Sequence, residues 1–221
     1  LRSKGVDIRE ALRVRLFRRN LSRIDVRNHR KLTVIDGTLA FTGSQNIADA
    51  DYGHRRIGAW HDLTVRVRGP VVYQLQMVFA EDWTAEAGSL PEDDDTIFPE
   101  PEIVGDHHVQ AVPSGPGRRN QAFRNLVLSA INEADGHVTM ATPYFMPDAP
   151  TLLALSLRAM AGVKVSIIVP ERTNSVLVNA AAKSAFRELI AVGAEVHLHR
   201  EGLLHVKAVA IDDKVALFGS G

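Results

Sequence analysis

A chain of 221 residues with 45% hydrophobic and 24% charged content is long enough to bury a sizeable core, which excludes disordered, collagen-like and coiled-coil proteins. No apolar run reaches the roughly 18 residues of a membrane span, the opening LRSKGVDIRE has no apolar signal-peptide core, and zero cysteines exclude disulfides, thiolate nucleophiles and cysteine zinc sites. The net charge of zero conceals a segregation: residues 1–30 carry nine Arg and one Lys against Asp7, Glu10 and Asp25, whereas 69–117 hold no Lys or Arg. The basic end suits a phosphate or an anionic membrane surface.

In chain order, Gly5 ends a helix ahead of a strand VDIRE, and the Arg-rich LRVRLFRRNLSRI follows. The segment NHRKLTVIDGTLAFTGSQN reads as a hairpin turning at Asp36-Gly37. LTVRVRG is a strand and PVVYQLQMVFAEDW a helix, with Val72, Leu75, Gln76 and Phe79 as its buried stripe and Trp83 in the core. Residues 89–106, rich in Pro and acids, form a connector. Beyond it the pattern alternates: strand HHVQAVP, helix 120–134, strand HVTMATPY, helix 148–160 capped by Asp148, strand VKVSIIVP, helix 175–192, strand EVHLH, then a hairpin of VKAVAI and KVALFGS. This is an α/β chain with helices on its sheets.

An internal repeat organises it. His29, Lys31, Asp36, Gly43 and Ser44 recur as His205, Lys207, Asp212, Gly219 and Ser220, each displaced by 176 residues. Gly5 and Gly193 both precede a strand, 188 residues apart, so the first copy carries about twelve extra residues, the Arg-rich stretch. The repeat divides the chain into a first unit at 1–88, a linker at 89–106 and a second unit at 107–221. The second unit has about 98 residues before its His, the first only 28, and the second stops just past Ser220. Symmetry therefore leads us to expect an incomplete piece of a longer chain, with some 80 residues upstream.

Residues two apart on a strand share a face, so His29 and Lys31 project together, as do His205 and Lys207. With Asp36 and Gly37 as the central turn residues, the expected pairing sets Ser44 opposite His29 and Ser220 opposite His205, with Asn46 on the same face. Imidazole, ammonium, hydroxyl and amide together suit a tetrahedral phosphate: lysine neutralises its oxygens, the hydroxyl and amide orient it, and imidazole attacks phosphorus or moves a proton. Asp36 and Asp212 lie at the turns, far from the histidines, and read as structural, through turn hydrogen bonds or a partner elsewhere.

The twice-repeated H-x-K, four residues, D, six residues, G-S resembles the phospholipase D superfamily. RNHRKLTVIDGTLAFTGSQN, WHDLTVRVRGPVVYQLQMVFAEDW, VPSGP, ATPYFMPD, RTNSVLVNAAAKS and GLLHVKAVAIDD follow the order seen in bacterial cardiolipin synthases of the phospholipase D type. The resemblance implies two pseudo-twofold-related units, each a mixed sheet flanked by helices, and a metal-free, two-step phosphatidyl transfer at their interface. It implies His29 as nucleophile and His205 as acid/base. Two phosphatidylglycerols would give cardiolipin and glycerol through a phosphohistidine. Lys31, Lys207, Asp36 and Asp212 complete the motifs, Ser44, Asn46 and Ser220 would bind substrate, and Asp62 would accept a hydrogen bond from a catalytic imidazole. Asn46 has no counterpart within the second copy, and by the same symmetry the second imidazole lacks its acid. The implied setting is a bacterial cell membrane, the partner a phospholipid.

Nine histidines raise metal binding, but no clustered carboxylate or cysteine completes a site around His107-His108 or His197 and His199, so neither a metal nor another cofactor is expected. Tyr144-Phe145 either lines a lipid-accessible mouth or packs in the core. Basic clusters without repeated stacking aromatics disfavour nucleic acid. A phosphodiesterase or nuclease using the same site, and an inactive phosphate-binding fragment, remain the alternatives.

Overall fold

The computed structural model describes residues 1–11, 28–48, 58–90, 97–115, 121–171 and 176–220. The Arg-rich stretch and the acidic run 92–95 lie outside them. The chain divides into two compact units, one of residues 1–42 and 65–120, the other of 43–64 and 121–221. Residues 43–64, which belong to the first copy in the repeat, thus cluster with the second.

In the first unit β1 (Leu32–Ile35), β2 (Leu39–Gly43) and β4 (Thr64–Arg68) form a sheet in the order β1-β2-β4. Helix α1 (Pro70–Ala87) starts with Pro at its first position, where the missing N–H costs nothing, and ends at Gly88 in the left-handed conformation. It buries Val72 and Gln76 of the expected stripe along with Val71, Val78 and Ala80, while Phe79 is exposed and lies against Trp83. Neither VDIRE nor HHVQAVP is a strand. Alternation marks residues able to pair, but a strand also needs a free sheet edge; most of VDIRE and HHVQAVP is exposed, and Ala111 N–H donates to the Gln74 side chain instead.

The second unit holds a five-stranded sheet in the order β10-β9-β5-β6-β7, from β5 (His137–Ala141), β6 (Lys164–Pro170), β7 (Glu195–His199), β9 (Ala208–Ile211) and β10 (Val215–Phe218). Helices α2 (Ala122–Asn132), α3 (Ala149–Met160) and α4 (Val176–Ala191) accompany it, as the alternating pattern predicts. Asp148 caps α3 by accepting from Thr151 N–H at 3.0 Å, and its carboxyl is held below the usual range by hydrogen bonds from Thr151. The core joins sheet and helices through Ile131, Leu155, Ile167 and Leu189, all fully buried. Each such side chain contributes about 1.5–3 kcal/mol relative to exposure.

The two motif hairpins have the same turn. Asp36 and Gly37 (φ 50° and 63°) match Asp212 and Asp213 (φ 51° and 53°), and Thr38 N–H→Ile35 O matches Lys214 N–H→Ile211 O. The ladders, however, begin at Ile35↔Leu39 and Ile211↔Val215, one residue later than a two-residue turn gives, because Thr38 and Lys214 stand outside the pairing as a bulge. The shift corrects the expected facing of Ser44 with His29 and of Ser220 with His205. Lys207 instead faces Gly219, whose N–H it accepts at 3.1 Å.

Asp212 has the partner elsewhere that its position suggested. Its carboxylate accepts from the backbone N–H groups of Asp135, Gly136 and His137 at 2.7–2.8 Å, tying the β9-β10 turn to the start of β5, and these bonds lower its pKa to about 2. The folded form thus keeps the carboxylate ionised below the usual 3.8, and its contribution to stability is full above that value and is lost as pH falls through about 2. Asp212→Asn turns an NH₂ toward one of these N–H donors; we expect thermal melting at pH 7 to fall by roughly 5 °C. The gap from wild type should close between about pH 4 and pH 2; a pH-independent gap in calorimetry would count against this role.

Candidate functional site

The second-copy histidine sits where three short segments of the second unit meet. β3 (Trp60–His61) pairs in parallel with β8 (Leu203–Leu204), and the pairing continues through His205 N–H→His61 O at 2.8 Å. This backbone ladder sets Asp62 beside His205. Gly202 permits the approach, since a Cβ there would meet Ala59 O at 2.0 Å.

Asp62 Oδ1 lies 2.6 Å from His205 Nδ1 and 2.7 Å from Ser44 Oγ. A carboxylate only accepts, so Nδ1 carries the proton. Lys207 Nζ lies 3.1 Å from His205 Nε2. With Nδ1 engaged by Asp62, Nε2 is the nitrogen left to give or take a proton, and it faces a cation. The Asp62 charge stands ready to stabilise the ring when Nε2 takes a proton. His205 and Asp62 are 12% and 15% exposed, dry enough for these interactions to outweigh their counterparts in water. The Trp60 ring packs 4.6 Å from the His205 ring and walls one side.

Ser44 was expected to bind substrate, but it is 1% exposed. Its hydroxyl donates to Asp62 and accepts from Leu63 N–H at 2.9 Å, while its own N–H donates to Leu63 O at 2.8 Å. The motif Gly43 makes room for this exchange, because a Cβ on it would meet Leu63 O at 2.0 Å. The G-S pair of the first copy thus braces the acid from behind. Asn46 and Ser220 are half-buried.

In the first unit His29 is exposed and precedes β1. Arg30 anchors the motif: its guanidinium contacts both Asp82 carboxylate oxygens on α1 at 2.6 Å and donates to Ser114 O at 2.6 Å, and Asn28 donates to Asp82 at 2.9 Å. Lys31 Nζ donates to His29 O at 2.7 Å, as Lys207 Nζ does to His205 O at 3.1 Å. In both copies the ammonium therefore folds back over its own histidine, repeating the motif at the level of side chains.

Sequence reasoning did not anticipate three features: Trp60 against His205, the Arg30–Asp82 clamp, and the pairing of first-copy Asp62 with second-copy His205. The last corrects the expectation that the second imidazole lacks an acid within the chain. Nothing local signals it, since Asp62 follows the first motif in the sequence. Trp60 adjoins Asp62, and that adjacency was the available hint.

Residues 127–221 match a family model described as cardiolipin synthase, PLD-like domain. Cardiolipin synthase A of Pectobacterium carotovorum subsp. carotovorum (strain PC1) is 38% identical over 225 residues, covering 100% of this chain and 46% of the relative. That of Serratia proteamaculans (strain 568) is 39% identical with the same coverage. The chain spans about half the length of the curated relatives it matches. The crystal structure of phosphatidylserine synthase from Haemophilus influenzae Rd KW20 shares the fold, with TM-score 0.55 and 15% identity, covering 84% of this chain and 51% of that one. With the duplicated motif and its geometry, these matches bear out the resemblance to the phospholipase D superfamily. The bacterial relatives it matches are cardiolipin synthases A, and the matching family model is that of a PLD-like cardiolipin synthase domain.

Proposed function

We propose that the protein carrying this chain transfers phosphatidyl groups between phospholipids, joining two phosphatidylglycerols into cardiolipin and releasing glycerol. The observation that carries this reading is the Asp62–His205–Lys207 chain, which fixes the imidazole tautomer and aims a basic nitrogen beside a cation. The likeness to cardiolipin synthases supports the substrate class.

In this scheme His29 attacks phosphorus, forming a P–N bond as the P–O bond to glycerol breaks, and His205, protonated at Nε2, gives its proton to the departing oxygen. Neutral His205 then takes the proton from the hydroxyl of a second phosphatidylglycerol, whose oxygen forms the new P–O bond as P–N breaks. Lys31 and Lys207 stabilise the charge on the non-bridging oxygens. Asp62 holds the His205 tautomer, Ser44 holds Asp62, and Asn46 and Ser220 orient the phosphate. Asp36 and Asp212 shape the hairpins. The scheme sets this chemistry at an anionic membrane; among the described residues no helix is long and apolar enough to cross one.

The test is mass spectrometry of the products from phosphatidylglycerol, with and without chelator. Cardiolipin and glycerol in equal amounts, unchanged by EDTA, are expected. Activity lost to EDTA and restored by zinc or magnesium would overturn the metal-free scheme, and turnover of single-stranded DNA in place of lipid would overturn the substrate class.

A further inference from the structure

Helix α3 is apolar on two faces. Ala154, Leu155 and Ala159 face the core, while Leu153, Leu157 and Met160, spaced as one stripe, are 57%, 50% and 68% exposed. Met146 just before the helix is 62% exposed. An apolar stripe of this kind needs a partner, and its position and charge indicate which.

The loop bearing Met146 leaves β5 where Ala141 pairs with Ala208, and His205 to Lys207 immediately precede Ala208. The stripe therefore begins at the sheet end that carries the histidine. The loop is held in place: Phe145 is 3% exposed and stacks on Phe186 at 5.3 Å, so Phe145 packs in the core while Met146 points outward. From 146 to 164 the one acid is Asp148, which caps α3 and pairs with Arg124, and the bases are Arg158 and Lys164. Arg158 donates to Ala134 O, and Lys164, 67% exposed, lies 3.7 Å from Glu195.

We propose that this stripe rests on the acyl layer of an anionic phospholipid membrane, keeping the site at the lipid surface. The proposal rests on the phospholipid reading above, whose substrate keeps its acyl chains in a bilayer while its phosphate reaches the imidazole. Continuity with the site, with the one acid of the segment, Asp148, already paired to Arg124, favours a membrane over a second copy of the chain.

The test uses the protein carrying this chain and a Met146→Ser, Leu153→Ser, Leu157→Ser variant, with vesicles of phosphatidylglycerol or of phosphatidylcholine. Wild type should co-sediment with phosphatidylglycerol vesicles, and the variant should partition at least about tenfold less well, with its melting temperature retained. Turnover should fall on vesicles but stay within about twofold on short-chain phosphatidylglycerol dispersed below its aggregation point. Equal sedimentation of wild type and variant overturns the proposal, as does a wild-type dimer that the variant dissociates without lipid. If wild type turns over neither substrate yet sediments through the stripe, the stripe proposal stands and the transferase reading fails.

Discussion

His29→Ala leaves no phosphoenzyme and lowers turnover by at least about 10⁴-fold, the loss expected when a nucleophile is removed and nothing replaces its bond to phosphorus. His205→Ala behaves differently. It slows departure of glycerol by about 10³–10⁴-fold, because an alkoxide must then leave without a proton. A diester with a nitrophenolate leaving group needs no proton, so the first step recovers. The second step still lacks its base, and acid-labile phosphate accumulates on His29. Quench the variants with this activated diester and map the phosphate: recovery on His205 in the His29→Ala protein would exchange the two roles. The assignment draws support from asymmetry in the structure, since His205 is tied to a carboxylate at 2.6 Å while His29 is exposed.

Asp62→Ala lowers kcat by about 10³–10⁴-fold with KM little changed, because it frees the His205 ring, strands the buried Ser44 hydroxyl and removes the charge facing the imidazolium. Asp62→Asn separates these effects. Its amide oxygen can replace Oδ1 and accept from both Nδ1 and Ser44 Oγ, keeping geometry and tautomer, so only the charge is lost and the fall is about 10²-fold. An Asn variant with wild-type kcat and an unchanged pH profile would mean that Asp62 only fills space. Ser44→Ala should fall between wild type and Asp62→Asn, because it loosens the acid without removing it.

Much of the second unit was legible because its information is local. Apolar periodicity marked α2, α3 and α4, the Asp148 cap follows from one side chain reaching one N–H, and EVHLH alternates along an edge strand. VDIRE and HHVQAVP misled for the converse reason: their alternation is equally local, but pairing depends on an edge elsewhere. The hairpin register missed by one residue because a turn can close its hydrogen bond and still leave the next residue outside the ladder, as Thr38 and Lys214 do.

The sequence by itself determined the chemistry available to this protein. Two H-x-K motifs at one fixed displacement, with D and G-S behind each, are covalent facts that no packing alters, and they name the superfamily. Only the tertiary structure decided which groups serve which histidine. Asp62 is 26 residues from Asp36 but 143 from His205, and it joins the latter because β3 pairs with β8 and brings the first copy's acid against the second copy's imidazole. Ser44 moved from expected ligand to brace by the same route: the close approach of Leu63 to Gly43 buries its hydroxyl against that acid. Side-chain partners separated by more than a hundred residues are selected by which strands pair, and periodicity within a segment marks the face it buries but not the strand it will pair with.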